Sequence, residues 1–250
     1  EDGWKIEDGY HVNGAIRSKL SSVESVDFME DINKAEEIAV LSAEQIKTIK
    51  SMNYGFPDSL SPYKEWIAIK DGHAYASDGH YLVKANGFPS EEIYIKRSVL
   101  SLLPDKVDCV VMKTGGMHIL NFDNILYISM FFDDRIPNYD SVIPDDDSNK
   151  VAISAKQLIK EIDAVSAAAN KVTNKIKFSQ GSLIAEDLAL EKYAKVDTCL
   201  SFEHDFNINH KLLKNTIKAV GDCEISHIAP NKPLLLKNDM FTAIIMPIIL

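Results

Sequence analysis

The sequence lacks any apolar run long enough to cross a membrane as a helix, which needs roughly 18 to 20 residues. Its longest apolar stretches, such as residues 243–250, are far shorter. Cysteine is scarce as well, since Cys109, Cys199 and Cys223 are the only three and show no CxxC spacing. That pattern argues against a disulfide framework and a zinc site, and it favours a reducing compartment. The given sequence shows no basic segment followed by an apolar core, which is the pattern of a secretory signal. We therefore expect a soluble, cytoplasmic protein.

Motifs for catalysis are missing too. The sequence has no Gly-x-Ser-x-Gly elbow, and the pair Gly115-Gly116 is typical of a hairpin turn because no Lys-Ser/Thr helix follows it. Asp78-Gly79-His80 places a carboxylate near a histidine, as in a catalytic pair. A turn that needs the conformational freedom of glycine explains the same three residues without any catalytic role. The acidic run 145–147 lacks the spacing of a calcium loop and is typical of a solvated linker. We expect no enzymatic activity, cofactor or metal.

The remaining composition is that of a globular chain of 250 residues, with 46% hydrophobic and 26% charged residues. Its net charge of −10 speaks against nucleic acid, because contacts to phosphate use Lys and Arg. The charges are segregated, however. Four predicted helical segments together hold 10 basic and 4 acidic residues: 42–54, 96–106, 154–169 and 208–220.

Within the last of these segments, Lys211, Lys214 and Lys218 follow the spacing i, i+3 and i+7, which places them on one helix face. A single such stripe is typical of the solvent face of any amphipathic helix. Basic helices repeated through an acidic chain favour a second interpretation. They indicate a surface for loose, sequence-independent contact with duplex DNA.

An internal repeat organises the chain. Val40–Ile46 has a counterpart in Ala152–Leu158 at an offset of 112 residues, and Ile93–Leu100 aligns with Phe206–Leu213 at an offset of 113. Two independent matches separated by nearly the same number of residues indicate two copies of one unit. The boundary is expected near the acidic, turn-rich run 144–149.

Each unit is predicted to begin with a strand and a helix that has a serine, Ser42 or Ser154, near its N-cap. A second helix begins near Lys96 or Asn209. Alternating segments and turns predict the remaining strands. The predicted strands are 37–41, 66–69, 74–77, 151–153, 175–178 and 182–185, with closing strands 125–131 and 241–246 and turns at 71–72 and 180–181. This order predicts an α+β fold of tandem repeats, each with two helices packed on antiparallel sheet.

Residues 1–34 fit neither copy. Residues 4–20 resemble the closing hairpin of a preceding third copy, and 26–31 occupy the place that 135–139 occupy in the next. So short a segment cannot bury a core of its own. We therefore predict three parts: a remnant of a first domain at 1–34, a second domain at 35–147, here called the N-unit, and a third at 148–250, the C-unit.

Three segments resemble the bacterial DNA polymerase III beta subunit, the sliding clamp. Ala76–Leu82 resembles the Thr-Asp-Gly-His-Arg-Leu signature of that family, and Arg135–Pro144 resembles its Phe-Pro-Asp-Tyr-x-x-Val-x-Pro segment. Ile244–Leu250 resembles its Val-Met-Pro-Met-Arg-Leu end. The similarity runs in order from the end of the first clamp domain through the second and third.

The resemblance implies a closed ring, usually a head-to-tail homodimer of full-length, three-domain subunits, with helices lining the hole and sheets outside. It implies a non-enzymatic processivity factor that encircles double-stranded DNA. Such a factor tethers the DNA polymerase III catalytic subunit, the clamp loader and other proteins with a clamp-binding motif, and raises their effective concentration at the template. The alternative is a clamp-like protein-binding module of a phage or mobile element that does not encircle DNA.

The resemblance further implies a pocket for partner peptides between the two units. Its predicted wall consists of Ser77, Gly79, His80, Tyr81, Leu82, Pro137, Ser141, Val142, Val172, His210, Ile244, Met246, Pro247 and Ile248. Tyr81, Ser141 and Ile249 stand where the family usually has basic residues, so this pocket is expected to be less cationic. The apolar C-terminal residues also suit a plain buried edge strand, but Pro247 ends the ladder.

The predicted DNA-facing residues are basic and lie on the four helical segments. They are Lys47, Lys50, Lys96, Arg97, Lys156, Lys160, Lys211, Lys214 and Lys218. Lys96 and Arg97 are also implied by the resemblance, at the start of the second helix of the N-unit. Weak contacts through flexible lysine stems allow a ring to slide, because topology rather than affinity retains it.

Overall fold

The structure is a computed structural model that describes residues 5–7, 10–13, 16–19, 34–54, 62–114, 117–122, 125–130, 137–145 and 149–249. The N-terminal strands are β1 (Lys5–Glu7), β2 (Tyr10–Asn13) and β3 (Ile16–Lys19). The N-unit contains β4 (Glu36–Leu41), α1 (Ala43–Ser51), β5 (Trp66–Lys70), β6 (His73–Ser77), β7 (Tyr81–Asn86), β8 (Ile93–Lys96), β9 (Cys109–Thr114), β10 (Met117–Phe122) and β11 (Ile125–Met130).

The C-unit contains β12 (Val151–Ile153), α2 (Ala155–Ser166), β13 (Lys175–Ser179), β14 (Ser182–Asp187), β15 (Lys192–Asp197), β16 (Phe206–Asn209), α3 (His210–Val220), β17 (Cys223–Ser226), β18 (Leu234–Lys237) and β19 (Phe241–Ile245). Short 3-10 helices lie at Pro62–Glu65, Arg97–Leu102, Tyr139–Val142 and Leu188–Leu190. The two units repeat one order: a strand, a helix, four strands, a helical segment and three strands. This order confirms the predicted α+β tandem repeat, while the domain limits at 34/35 and 147/148 stay a prediction.

The sheets show how the units join. The strand orders are β1-β2-β3, β11-β10-β9-β4, β15-β14-β13-β16 and β12-β17-β18-β19-β7-β6-β5-β8. In the last sheet β19 of the C-unit pairs antiparallel with β7 of the N-unit, and Ile244 lies opposite Leu82. The seam between the units is therefore a continuous ladder of backbone hydrogen bonds rather than a loose contact.

The helices pack around α3, which contacts α1, α2 and β19 of the eight-stranded sheet. α2 also contacts β14 and β15 of a four-stranded sheet. Because side chains alternate along a strand, Val83 and Ile245 face the main core with the helices. Leu82 and Ile244 face the opposite side and form a smaller cluster. Apolar residues at helical spacing are half-buried at Ile159 and Leu212, and the others are buried: Ile46, Ile49, Leu158, Ile162, Val165, Leu213 and Ile217.

The starts of the helices agree with the predicted caps in part. Ser42 forms a full capping box with Gln45 at the start of α1. Ser154 holds the equivalent position of α2 but makes no side-chain cap bond. Each of the two helices is also capped by a different aspartate that lies just before a strand, which the sequence did not reveal. Asp108 accepts from the Ala43 N–H at 2.9 Å, and Asp222 from the Ala155 N–H at 2.8 Å.

The second helix of the N-unit, predicted to begin near Lys96 and to span 96–106, is a shorter 3-10 helix over Arg97–Leu102. Its counterpart α3 is a full α-helix. Asn209 caps α3 by accepting from two backbone N–H groups, but Lys96 makes no side-chain cap bond. Pro104 follows the 3-10 segment closely, and proline removes a backbone donor and does not fit a helix interior.

The predicted turns agree with the structure. Asp71-Gly72 and Gln180-Gly181 have positive φ at both positions, as a tight hairpin turn requires. The N-terminal segment forms three antiparallel strands rather than one hairpin. Residues 26–31, the glycine pair 115–116 and the acidic residues 146–147 lie outside the described residues.

No helix among the described residues is long and apolar enough to cross a membrane. Nor do they contain a group of three or more His, Cys, Asp or Glu side chains that could hold a metal ion.

Candidate functional site

A pocket of about 310 Å³ lies at the seam between the units, and we call it the seam pocket. It is lined by Ser77, Gly79, His80, Tyr81, Leu82, Pro137, Asn138, Tyr139, Val142, Ile244 and Met246. The end of β6, the start of β7, the segment 137–142 and the end of β19 supply these residues. Three segments far apart in the sequence thus meet at one place.

Most of the predicted pocket residues line this pocket, but five do not. Ser141 is exposed, and its hydroxyl donates to the Asn138 carbonyl. Val172 is 89% exposed on a turn before β13. Pro247 and Ile248 are half-buried beyond the pocket, and His210 lines a neighbouring cleft.

The sequence analysis missed Asn138 and Tyr139. Both lie inside the segment that resembles the clamp family, between the predicted Pro137 and Val142. Tyr139 is an aromatic residue in a short polar segment, which is a signal for an anchored side chain.

The wall formed by residues 139–142 is anchored to the sheet beneath it. Tyr139 stacks on Tyr75 with ring centroids 5.2 Å apart. Tyr75 donates its hydroxyl to Asp140 at 3.1 Å, and Lys84 forms an ion pair with the same carboxylate at 2.8 Å. Burial works to raise the pKa of Asp140, but the hydrogen bonds from Lys84 and Tyr75 outweigh it and lower that pKa. The wall is therefore held in place before any ligand arrives.

The turn at residues 77–80 forms the second wall. Ser77 donates its hydroxyl to the Tyr81 carbonyl at 2.7 Å, and Asp78 accepts from the N–H groups of His80 and Tyr81 at 2.8 and 3.0 Å. Gly79 has a φ of +89°, and a Cβ there would lie 3.0 Å from the Lys64 Nζ. These bonds occupy Asp78 in shaping the turn, which supports the structural interpretation of Asp78-Gly79-His80.

Tyr81, which stands where the family usually has arginine, points inward. It is 2% exposed, stacks on Tyr54 with centroids 4.3 Å apart, and donates its hydroxyl to the Tyr54 carbonyl. Burial raises the pKa of Tyr81 to about 12. The Tyr54 hydroxyl in turn donates to Thr216 of α3 at 2.7 Å. A buried polar chain therefore links this wall to a helix of the other unit.

The prediction that Arg97 faces DNA does not fit the structure. Arg97 is 6% exposed, and its guanidinium donates to the Ser77 carbonyl at 3.0 Å and to the Tyr54 carbonyl at 3.3 Å. The guanidinium carbon lies 5.9 Å from the centroid of the Tyr81 ring. Arg97 thus supports the pocket wall from below and is not available to phosphate.

The C-terminal segment closes the third side. β19 ends at Ile245, as the following Pro247 predicts, because proline cannot donate to the ladder. The Met246 N–H donates to the His80 carbonyl and the Ile248 N–H to the Asn207 carbonyl, each at 2.8 Å. Met246 remains 40% exposed. The segment is thus tied to both units while it presents open apolar surface to the pocket.

The other predicted DNA-facing residues are lysines in two groups. Lys50 forms an ion pair with Asp105, Lys214 with Asp163, and Lys96 lies 3.4 Å from Glu65. The rest are exposed and make no ion pair among the described residues: Lys47, Lys156, Lys160, Lys211 and Lys218. Since the three helices pack side by side, these charges lie on neighbouring elements.

A second cleft of about 650 Å³, which we call the helix cleft, lies beside the seam pocket. Its lining residues are Asp78, His80, Asp163, Ser166, Asn174, Asn209, His210, Lys211, Leu212, Lys214, Asn215 and Lys218. His80 lines both cavities. Burial lowers the pKa of His210, and the charges of Lys211 and Lys214 lower it further.

Comparison with known proteins gives a consistent result. No model of a protein family matches the chain. The beta sliding clamp of Rickettsia bellii (strain RML369-C) is 21% identical, and the match covers 90% of this chain and 70% of the relative. The DNA polymerase III subunit beta of Pseudomonas aeruginosa is 15% identical with a TM-score of 0.73, covering 98% of this chain and 76% of that one.

A beta sliding clamp from C. crescentus also has a TM-score of 0.73 at 17% identity, and the match covers 96% of this chain and 73% of that one. The chain therefore has the fold of the bacterial beta sliding clamp. The resemblance inferred from its three motifs is confirmed.

Proposed function

We propose that the chain acts as a DNA sliding clamp, a cytoplasmic and non-catalytic factor that encircles duplex DNA and tethers a polymerase. The observation that carries this proposal is the convergence of the three clamp-like segments on one pocket. Residues 77–82, 137–142 and 244–246 are distant in the sequence, yet together they line the seam pocket. Three short motifs that matched by chance would not be expected to line one pocket.

We infer that the seam pocket binds an apolar peptide segment of partner proteins. Leu82, Val142, Ile244 and Met246 provide apolar surface, and the exposed His80 side chain adds a polar group. Interfaces of this kind concentrate their energy in a few anchors seated in a pocket. The partners implied by the fold are the DNA polymerase III catalytic subunit, the clamp loader and other proteins with the same motif.

The helices are proposed to face DNA. Phosphate contacts need mobile cations, which the exposed lysines without ion pairs on α1, α2 and α3 provide. Lys50 and Lys214 are held by aspartates, so their contribution is expected to be smaller. The remaining surface is acidic, since the chain as a whole carries −10, and it repels DNA from the outside.

Ring closure is proposed to use the edge strand β15. By position in the repeat, β15 of the C-unit corresponds to β7 of the N-unit, which pairs with β19. Among the described residues, β15 has no partner on its outer edge. Tyr193 of β15 is 64% exposed, and Leu188 and Leu190 just before it are 83% and 57% exposed. An unpaired edge with apolar neighbours is a template for another chain. A head-to-tail homodimer of full-length, three-domain subunits would repeat the geometry of the seam there, with the first domain of the next subunit against β15.

A primer-extension assay tests the proposal. A singly primed circular template is copied by the partner polymerase with the clamp loader, and product length is compared with and without the protein. Longer products from single binding events are expected. The control replaces Lys47, Lys156, Lys160, Lys211 and Lys218 with Glu, which should shorten the products without unfolding the protein. Equal product lengths with and without the protein would refute the proposed function.

A further inference from the structure

We propose that the partner peptide carries acidic residues beside its apolar segment, and that the helix cleft binds them. This inference rests on the proposed function, because it takes the seam pocket as the site of the apolar segment. It adds a second binding surface and a chemical requirement on the partner.

The first argument is continuity. His80 lines both the seam pocket and the helix cleft, so a peptide in the pocket enters the cleft by passing one side chain. The His80 carbonyl accepts from Met246, and its N–H donates to Asp78. The backbone at this junction is therefore fixed, while the His80 side chain is exposed.

The second argument is the balance of charge in the cleft. Lys211 and Lys218 are exposed and make no ion pair among the described residues. Lys214 is already paired with Asp163, and the other acidic residue, Asp78, is 5% exposed and bonded to the turn. Among the described residues of the lining, the charged groups without an ionic or turn partner are therefore the ammonium groups of Lys211 and Lys218, and such groups attract a carboxylate.

The third argument comes from His210 on the same lining. Burial lowers its pKa, and the charges of Lys211 and Lys214 lower it further against the opposing charge of Asp163. The balance of these charges at His210 is positive. Long-range electrostatics act in the opposite direction, because the chain carries −10 and repels an acidic peptide. Tighter binding of an acidic peptide therefore has to come from a local contact.

The test compares three labelled peptides by fluorescence anisotropy at low ionic strength. All contain one short glutamine-led segment that ends in leucine and phenylalanine, the type of peptide that the resemblance to the sliding-clamp family implies. One has neutral flanks, one carries two aspartates before the segment, and one carries them after it. We expect one of the acidic peptides to bind about threefold or more tightly than the neutral peptide, as a few partly exposed ion pairs provide. The gain should shrink as salt is added.

The matched variants are Lys211→Ala/Lys218→Ala in the cleft and Lys47→Ala/Lys156→Ala outside it. All four lysines are exposed. The cleft variant should lose the gain from the aspartates and bind the neutral peptide as before, and the outside variant should keep the gain.

Three results would overturn the inference. If the neutral peptide binds but neither acidic peptide binds more tightly, the proposed pocket stands and the cleft assignment fails. If the gain persists in the cleft variant while its DNA association is weakened, the cleft lysines serve phosphate alone. If none of the peptides binds, the proposed peptide site fails, and this inference fails with it.

Discussion

Replacing Met246 by alanine should weaken peptide binding in a way that the structure allows us to estimate. Met246 lines the seam pocket and is 40% exposed in the free protein. Full burial of a methionine side chain stabilises by about 1.5–3 kcal/mol, so covering the exposed part contributes about 0.6–1.2 kcal/mol. Peptide affinity is therefore expected to fall about threefold to eightfold.

Fluorescence anisotropy with the neutral peptide measures this loss, and thermal unfolding shows whether the variant remains folded. Met240→Ala is a matched control, because Met240 is 51% exposed and does not line the pocket. Its affinity should equal that of the unchanged chain. Equal affinities of the folded Met246→Ala variant and the Met240→Ala control would refute the assignment of the peptide to this pocket.

Three further predictions concern the fold. Ser42→Ala should cost about 1 kcal/mol in the free energy of unfolding, and Ser154→Ala much less, because only Ser42 makes a side-chain cap bond; equal losses in urea denaturation would contradict this. Tyr54→Phe removes the hydroxyl that donates to the buried Thr216 and should lower the free energy of unfolding by about 1–2 kcal/mol in the same measurement. An unchanged denaturation midpoint would show that stability does not depend on this hydrogen bond. Burial lowers the pKa of His227 to about 4, so the unfolded chain binds a proton at this histidine more readily than the folded chain. The free energy of unfolding should therefore be highest above pH ~6.5 and fall by an amount on the order of 3 kcal/mol towards pH ~4. A folded His227→Gln variant should not show this decline.

Local signals in the sequence predicted much of the fold. The pattern shared by Val40–Ile46 and Ala152–Leu158 revealed the repeat, and Asp71-Gly72 and Gln180-Gly181 marked hairpins that the structure contains. These signals work because caps, turns and strand alternation depend on residues close in sequence. A helix was predicted to begin near Lys96, but its 3-10 form over Arg97–Leu102 was not, since the short apolar pattern also suits an α-helix.

The candidate site was harder to predict because its details depend on distant partners. Arg97 was expected to face DNA, but its guanidinium donates to Ser77 and Tyr54, which lie 20 and 43 residues away. Lys214 is similarly held by Asp163, 51 residues away. Sequence spacing reveals which face a lysine occupies, and it does not reveal which carboxylate reaches that face.

The central claim is that the protein encircles DNA, and retention on circular against linear DNA tests it most directly. The full-length protein, with a complete first domain, is loaded onto a nicked circular plasmid with the clamp loader. The complex is isolated by gel filtration, and half of it is linearised with a single-cutting nuclease. Protein should stay with the circle and slide off the linear molecule, because topology rather than affinity holds a ring in place. Equal retention on both forms, or no retention on the circle, would contradict encirclement.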